Sequence, residues 1–468
     1  MISRVKLDVN GINNGIMMSL NKKSRVLALL ALCFLPSIVQ TQDGGVGDTA
    51  AQLRDAGMKS GLAWEIVEGL TTEVGPRLAG TEADHRAVEW TKRKLESLAF
   101  DEVWLERIEF PVWVRYHESA KIVAPFPQKL HISALGYSGS TDGEVTADVA
   151  GFTSLEALQE APLDQVDGKI VFINYFTERT RTGAGYGHSV KVRYDAGQLA
   201  KEKGAVAVLI RSIGTDSHRF PHTGVTTLST DPLPAAALSA PDADQLARIM
   251  ERGDAVRISL FIRVAYRETG YSWNVIAQVN GRETPEKVVL IGAHLDSWDL
   301  GTGALDDGAG VAITAAAAHL IGELPQKPRS SIRLVLFGNE EAGLWGAKQY
   351  AAANAGILGD HLYASESDFG ARAIWRFDTD NPVLMEAAMP VLEMLGIEKG
   401  EAASSGGPDI GPLQDRGVRI FRLQQDGSDY FDYHHTADDT LDKIDPEQLR
   451  QNVAAWAAVS YLAAELED

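Results

Sequence analysis

Residues 287–322 read KVVLIGAHLDSWDLGTGALDDGAGVAITAAAAHLIG, and this stretch decides the fold. It opens with a short β-branched apolar run, Lys287 to Ile291, and closes with a long alanine-rich run that predicts a helix over Gly308–Leu324. An apolar strand followed by such a helix reads as part of a largely parallel sheet buried on both faces. The polar loop between them carries His294, Asp296, Asp306 and Asp307. In open α/β sheets, ligands bind beyond the carboxyl ends of strands, which is where His294 falls. The His294-x-Asp296 spacing puts two polar side chains on one side of an extended chain, so one can bind a metal while the other orients its ring. Asp306 and Asp307 stand at a helix start, where simple capping competes with a chemical role.

Working outward, the same alternation continues. Strands are predicted at Trp273–Val279, Lys287–His294, Ser331–Phe337 and Leu362–Ser365, with a helix over Gly343–Ala353 and a last one over Pro446–Glu467. The fold class is therefore α/β, a mixed and mostly parallel sheet flanked by helices. Two further strand ends carry acids: Glu340 and Glu341 in FGNEEAG (337–343), and Asp368 in LYASESD (362–368). Adjacent acids at a strand end can reach different partners, one a metal and one a substrate water. The run YHHTADDT (433–440) adds His434 and His435. Each feature alone reads as solvated surface. Together they point to a metal centre.

Upstream, residues 50–115 read as helical, with Ala83–Ala99 feeding a strand over Glu102–Tyr116. Residues 117–265 turn β-rich, with strands at Lys169–Phe176, Ala205–Arg211 and Val256–Val264 and helices at Tyr194–Lys203 and Asp242–Arg252. The organisation predicted is a leader over 1–42, a catalytic domain built from 43–116 and 266–468, and an inserted domain over 117–265. Its two ends must lie close together, since both rejoin one domain.

The chain has 468 residues, a formal net charge of −20 and one cysteine. The charge argues against nucleic acid or an anionic membrane as partner. A disulfide scaffold and a thiolate zinc site are both excluded, leaving histidine and carboxylate as metal donors. The basic segment 21–25 followed by the apolar run Val26–Val39 reads as a secretory signal, with translation plausibly starting at Met17 or Met18. A lipoprotein reading through Cys33 is weakened by the bulk of Leu32 before it. Beyond the leader, no apolar run of transmembrane length is expected, so the mature chain is predicted to be exported to periplasm or medium.

The motifs HLDSWDLGTGALDDGAG (294–310), FGNEEAGLWGA (337–347), ESDFG (366–370), SGGPDIGPL (405–413) and YHHTADDT (433–440) together resemble a known family. It is the di-zinc exopeptidases, which include bacterial leucyl aminopeptidase and glutamate carboxypeptidase, and the closest likeness is to the plasma glutamate carboxypeptidase (carboxypeptidase Q) branch. Segments 191–212 and 221–224 resemble that branch's protease-associated-type insert. The resemblance implies two Zn²⁺ per chain, one held by His294 and Asp368, the other by Glu341 and His435, with Asp306 bridging them. It implies that Asp296 orients His294, that Glu340 is the general base for a water shared by the metals, and that the Asp306–Asp307 peptide is cis. His434 or Tyr433 would assist at the scissile carbonyl, though each reads equally well as packing.

The function so implied is hydrolysis of short peptides, dipeptides above all, by an exported enzyme that forms a homodimer. Two rivals share the fold: an acyl-transfer enzyme of the glutaminyl cyclase type and a non-catalytic binding ectodomain. His85, His131, His218, His319 and His361 read as structural or surface residues, while His188 and His222 of the insert could face the cleft. Because the insert supplies none of the five proposed ligands, its removal is expected to leave the metal constellation intact.

Overall fold

The apolar runs of the sequence become strands in the computed structural model, which describes residues 45–466. The leader read at 21–39 lies outside them. In chain order the principal strands are β1 (Glu102–Ala124), β2 (Ile132–Ala134), β3 (Val145–Phe152), β4 (Ile170–Ile173) and β5 (Ala207–Arg211). They continue with β6 (Ala235–Leu238), β7 (Arg257–Val279), β8 (Thr284–His294), β9 (Ser330–Phe337) and β10 (His361–Glu366). All belong to one 11-stranded sheet, completed by Gln128–Leu130 on β1. Its order is β10-β8-β9-β7-β3-β4-β5-β6-β2, with β1 along the other edge of β7. Pairing is parallel within β10-β8-β9 and within β3-β4-β5-β6, and antiparallel wherever β7 takes part.

The ribbon of β1 and β7 joins the two halves. One end of β7 pairs with β9 through Val275–Val279, and the other pairs with β3 through Arg257–Leu260. The expected strands Val256–Val264 and Trp273–Val279 are thus one strand. Their connection, Tyr266 to Thr269, is exposed, so it lacks the burial pattern that marks a strand in sequence. It stays extended because its backbone bonds to β1, through register shifts near Phe110 and Arg115.

The helices used below are α1 (Val46–Gly57), α2 (Glu82–Glu96), α3 (Ala184–Glu202), α4 (Ala309–Gly322) and α5 (Pro446–Glu465). Helix α4 is buried on nearly all sides, against the β8–β9 face, α1 and α5. Its alanines let neighbours approach closely, and Thr314 satisfies its hydroxyl on the Gly310 carbonyl at 2.7 Å. The helical segment Ala304–Gly322 is long and apolar enough to cross a bilayer, contrary to the sequence expectation, but it is buried in the core of the fold. In the insert, Ile170, Phe172 and Leu209 face one core while Val171, Ile173, Val208 and Ile210 face another, packed on α3. These strands and α3 form a small parallel α/β layer buried on both faces.

Candidate metal centre

Strand β8 delivers His294 to the carboxyl edge of the sheet, fully buried. Its Nδ1 lies 3.1 Å from the Asp296 carbonyl, and its Nε2 lies 3.0 Å from Asp306 Oδ1 and 3.8 Å from Asp368 Oδ1. The two acids at the helix start divide the competing roles between them. Asp307 turns inward, accepting from His294 N at 3.2 Å and Gly310 N at 3.0 Å, and so caps α4. Asp306 turns outward into the cluster, and the peptide between them is cis, as the resemblance implied.

The other side of Asp306 faces the paired histidines. Its Oδ2 lies 3.3 Å from His435 Nε2 and 3.5 Å from His434 Nε2, and His435 Nε2 lies 2.9 Å from Glu341 Oε2. Asp306 therefore belongs to two donor groups at once, one with His294 and Asp368 and one with His434 and His435. The His434 and His435 rings stack at 3.5 Å. Glu340 anchors its backbone N–H on Asp296 Oδ1 at 3.0 Å. Tyr433 is not brought to the cluster: its ring lies beneath Lys443 Nζ at 5.6 Å, and Tyr430, one turn earlier, lines the cavity in its place.

The electrostatics show what this donor set can hold. Burial pushes the Glu340 and Glu341 carboxyls well above their usual range, and neighbouring acids add to it. Burial likewise pushes Asp368 up to about 6. Burial raises Asp306, but the hydrogen bond from His294 and that ring's charge outweigh it and hold the carboxyl below its usual range. Burial drives His434 and His435 well down, so both rings are neutral electron-pair donors. His435 donates Nδ1–H to the Thr223 carbonyl at 3.2 Å, which turns the Nε2 lone pair toward Glu341 and Asp306. A lone pair facing carboxylate oxygens at 2.9 and 3.3 Å repels unless a cation lies between. Asp306 Oδ2 and Glu341 Oε1, both buried, also lack a hydrogen-bond partner among the described residues. Histidine and carboxylate donors so arranged fit Zn²⁺.

Two supporting residues were not singled out in the sequence. Arg77, fully buried, donates from Nη1 to the Thr302 carbonyl at 2.8 Å and from Nη2 to that of Gly303 at 2.9 Å, holding the loop between His294 and Asp306. Asp439 accepts from Leu305 N at 2.6 Å and Asp306 N at 3.2 Å. The Asp-Asp pair at 438–439 was the available signal for Asp439; Arg77 had none. Of the insert histidines, His188 is exposed, whereas His222 is buried between Asp216 Oδ1 at 2.5 Å and the His434 carbonyl at 2.8 Å. Thr223 N also donates to the His435 carbonyl at 3.0 Å. A segment read as part of the insert thus hydrogen-bonds a proposed ligand, a contact the sequence reading did not foresee. His85, His131, His319 and His361 make contacts away from the cluster, with Tyr271, Asp242, Ala99 and Tyr350.

These donors sit in a cavity of about 460 Å³, walled on one side by α3. The model of peptidase family M28 matches residues 274–460, which carry every one of the clustered donors. Carboxypeptidase Q of Bos taurus is 34% identical over 432 residues, spanning 91% of this chain and 90% of its own. The crystal structure of an M28 peptidase precursor from Shewanella amazonensis superposes with a TM-score of 0.88 at 47% identity, covering 90% of this chain and 97% of that one. A zinc aminopeptidase from Bacillus subtilis shares the fold, with a TM-score of 0.63 at 20% identity over 87% of this chain and 98% of its own. Similarity of that extent, through the insert as well as the catalytic half, together with the two donor groups at the strand ends, shows that the chain belongs to peptidase family M28, the zinc exopeptidases.

Proposed function

We propose that this enzyme is an exported dipeptidase with two zinc ions per chain. The observation that carries the reading is Asp306, one buried carboxylate shared by two separate donor groups. His294, Asp306 and Asp368 would hold one ion, and Asp306, Glu341 and His435 the other. Zinc there would supply Lewis-acid polarisation of a scissile carbonyl and would lower the pKa of a water towards neutrality. Glu340, outside both donor groups, takes the proton from the attacking water and delivers it to the leaving amine. Asp296 holds the Glu340 backbone in place and lies against His294, so one buried carboxylate orients both base and ligand. His434 stands beside Asp306 as the candidate hydrogen-bond partner for the developing oxyanion.

A cavity of about 460 Å³ suits a small substrate, which supports dipeptides over long chains. The basic and apolar leader supports export to periplasm or medium. The test is metal analysis of the purified protein, with hydrolysis of a dipeptide panel and of N- and C-blocked peptides, with and without chelator. About two zinc ions per chain and chelator-sensitive dipeptide hydrolysis are expected. Protein that binds peptides without cleaving them, or that cyclises N-terminal glutamine instead, would replace this reading with one of its same-fold rivals.

A further inference from the structure

Helix α3 and the glycine before it turn one stripe to the cavity: Gly183, Tyr186, Gly187, Val190, Arg193 and Tyr194. The spacing is that of one helix face. Two guanidinium groups line the cavity, Arg193 and Arg422, and their surroundings differ. Arg422 lies in the field of Asp368, Glu366 and Asp378 and is their counter-charge. Arg193 has no such partner. It is 4% exposed, donates from Nε to the Val225 carbonyl at 3.1 Å, and has Tyr186 and Tyr194 rings 5.7 and 5.5 Å from its Cζ. Among the described residues no carboxylate forms an ion pair with it.

A buried cation without an anion is costly, and arginine cannot escape that cost by losing its proton. The surroundings are shaped for the side chain all the same: a Cβ at Gly224 would sit 2.3 Å from Arg193 Nη1. Arg193 lines the same cavity as Asp306, Glu340, Glu341 and His435. The guanidinium therefore stands within electrostatic reach of the place where a scissile carbonyl would lie, on a wall supplied by the insert. Its polar partners, the Val225 carbonyl and the Tyr186 and Tyr194 side chains, are all uncharged, and a planar fork that faces the cavity suits a carboxylate. The one anion that every dipeptide carries, whatever its side chains, is its α-carboxylate.

We propose that Arg193 receives the free α-carboxylate of the substrate, so that the enzyme selects peptides ending one residue beyond the scissile bond. This rests on the dipeptidase reading above and names its specificity residue. An acidic side chain offers the same chemistry, so the probes must separate the two.

The experiment compares kcat and KM of the zinc-loaded full chain on alanyl-alanine, alanyl-alanine amide and alanyl-glutamate α-amide. Wild type is expected to prefer alanyl-alanine over its amide. Arg193→Met should lower kcat/KM for alanyl-alanine by about 10²–10³-fold, chiefly through KM, and leave the amide within a few-fold. Arg193→Lys, which keeps the charge and loses the fork, should fall between them. Zinc content should not change. Equal use of peptide and amide by wild type overturns the proposal. So does a parallel loss on both substrates with loss of zinc, which would make Arg193 a prop for the histidine loop. Arginine-dependent preference for the glutamate amide would assign the group to a side-chain carboxylate instead. If wild type cleaves none of these, the dipeptidase reading fails separately, and calorimetry on alanyl-alanine against its amide still decides Arg193: equal binding of the two overturns it.

Discussion

At the scale of single residues, the split between Glu340 and Glu341 is the sharpest commitment. Glu340→Gln keeps the shape and the backbone bond to Asp296 but cannot accept a proton, so hydrolysis should fall by about 10²–10⁴-fold. Zinc content, read by atomic absorption, should stay near that of wild type; loss of metal would show that Glu340 is a ligand. Adjacent acids could be found in sequence, but only the family resemblance implied their division of labour, and Asp306 and Asp307 divide as it implied. A residue far from the centre contributes to acid sensitivity. His361 donates Nδ1–H to the Ile357 carbonyl and accepts from the Tyr350 hydroxyl at 3.0 Å. Burial, aided by the Arg333 charge, lowers its pKa from 6.5 to about 4. Between those values the unfolded chain binds a proton that the folded one refuses. The contribution is therefore complete above pH 6.5 and is lost as pH falls towards 4, at most about 3 kcal/mol. Denaturant melts of His361→Phe, run from pH 7 to pH 4.5, should show a shallower loss than wild type.

At the scale of elements, α3 is where sequence reading stopped short. The expected helix began at Tyr194, whereas the observed one begins at Ala184. Gly185 and Gly187 lower helix propensity in that first half, so the periodic signal is faint there. Packing overrides it, because a Cβ at Gly185 would meet the Glu178 carbonyl oxygen at 1.9 Å and only glycine admits that approach. The missed turns contain Tyr186 and Arg193. The loop 212–226 is a second such element, joined to the histidine loop through Thr223 and through His222 between Asp216 and His434. His222→Ala should loosen that loop and weaken zinc affinity by about 10–100-fold, as loss of a ligand's supporting partner does. Competition with a chelator of known affinity measures this, and an unchanged zinc affinity would leave His222 a core contact only.

At the scale of the whole molecule, the acids of the centre are gathered within one buried cavity of a chain whose formal net charge is −20. Without cations these acids repel, so chelation should lower the thermal midpoint and added zinc should restore it with a concentration dependence set by mass action. Calorimetric scans with and without chelator check this; an unmoved midpoint would mean that the donors are not held as metal ligands. The β1–β7 ribbon runs through both halves, and the insert supplies both the hydrogen bond to His435 and the wall bearing Arg193. Excision of the insert should therefore weaken the centre as well as open it.

The sequence by itself determined the alternation of buried strands and helices, the placing of acids at strand ends and the family, because each is written in local order and spacing. What only the tertiary structure decided is that segment 212–226 reaches the histidine loop. Thr223 and His435 lie 212 residues apart, as do His222 and His434. No periodicity reports such a contact. It exists because β1 and β7 carry the insert's sheet back over the ends of β8, β9 and β10 and bring its loops down onto the histidines.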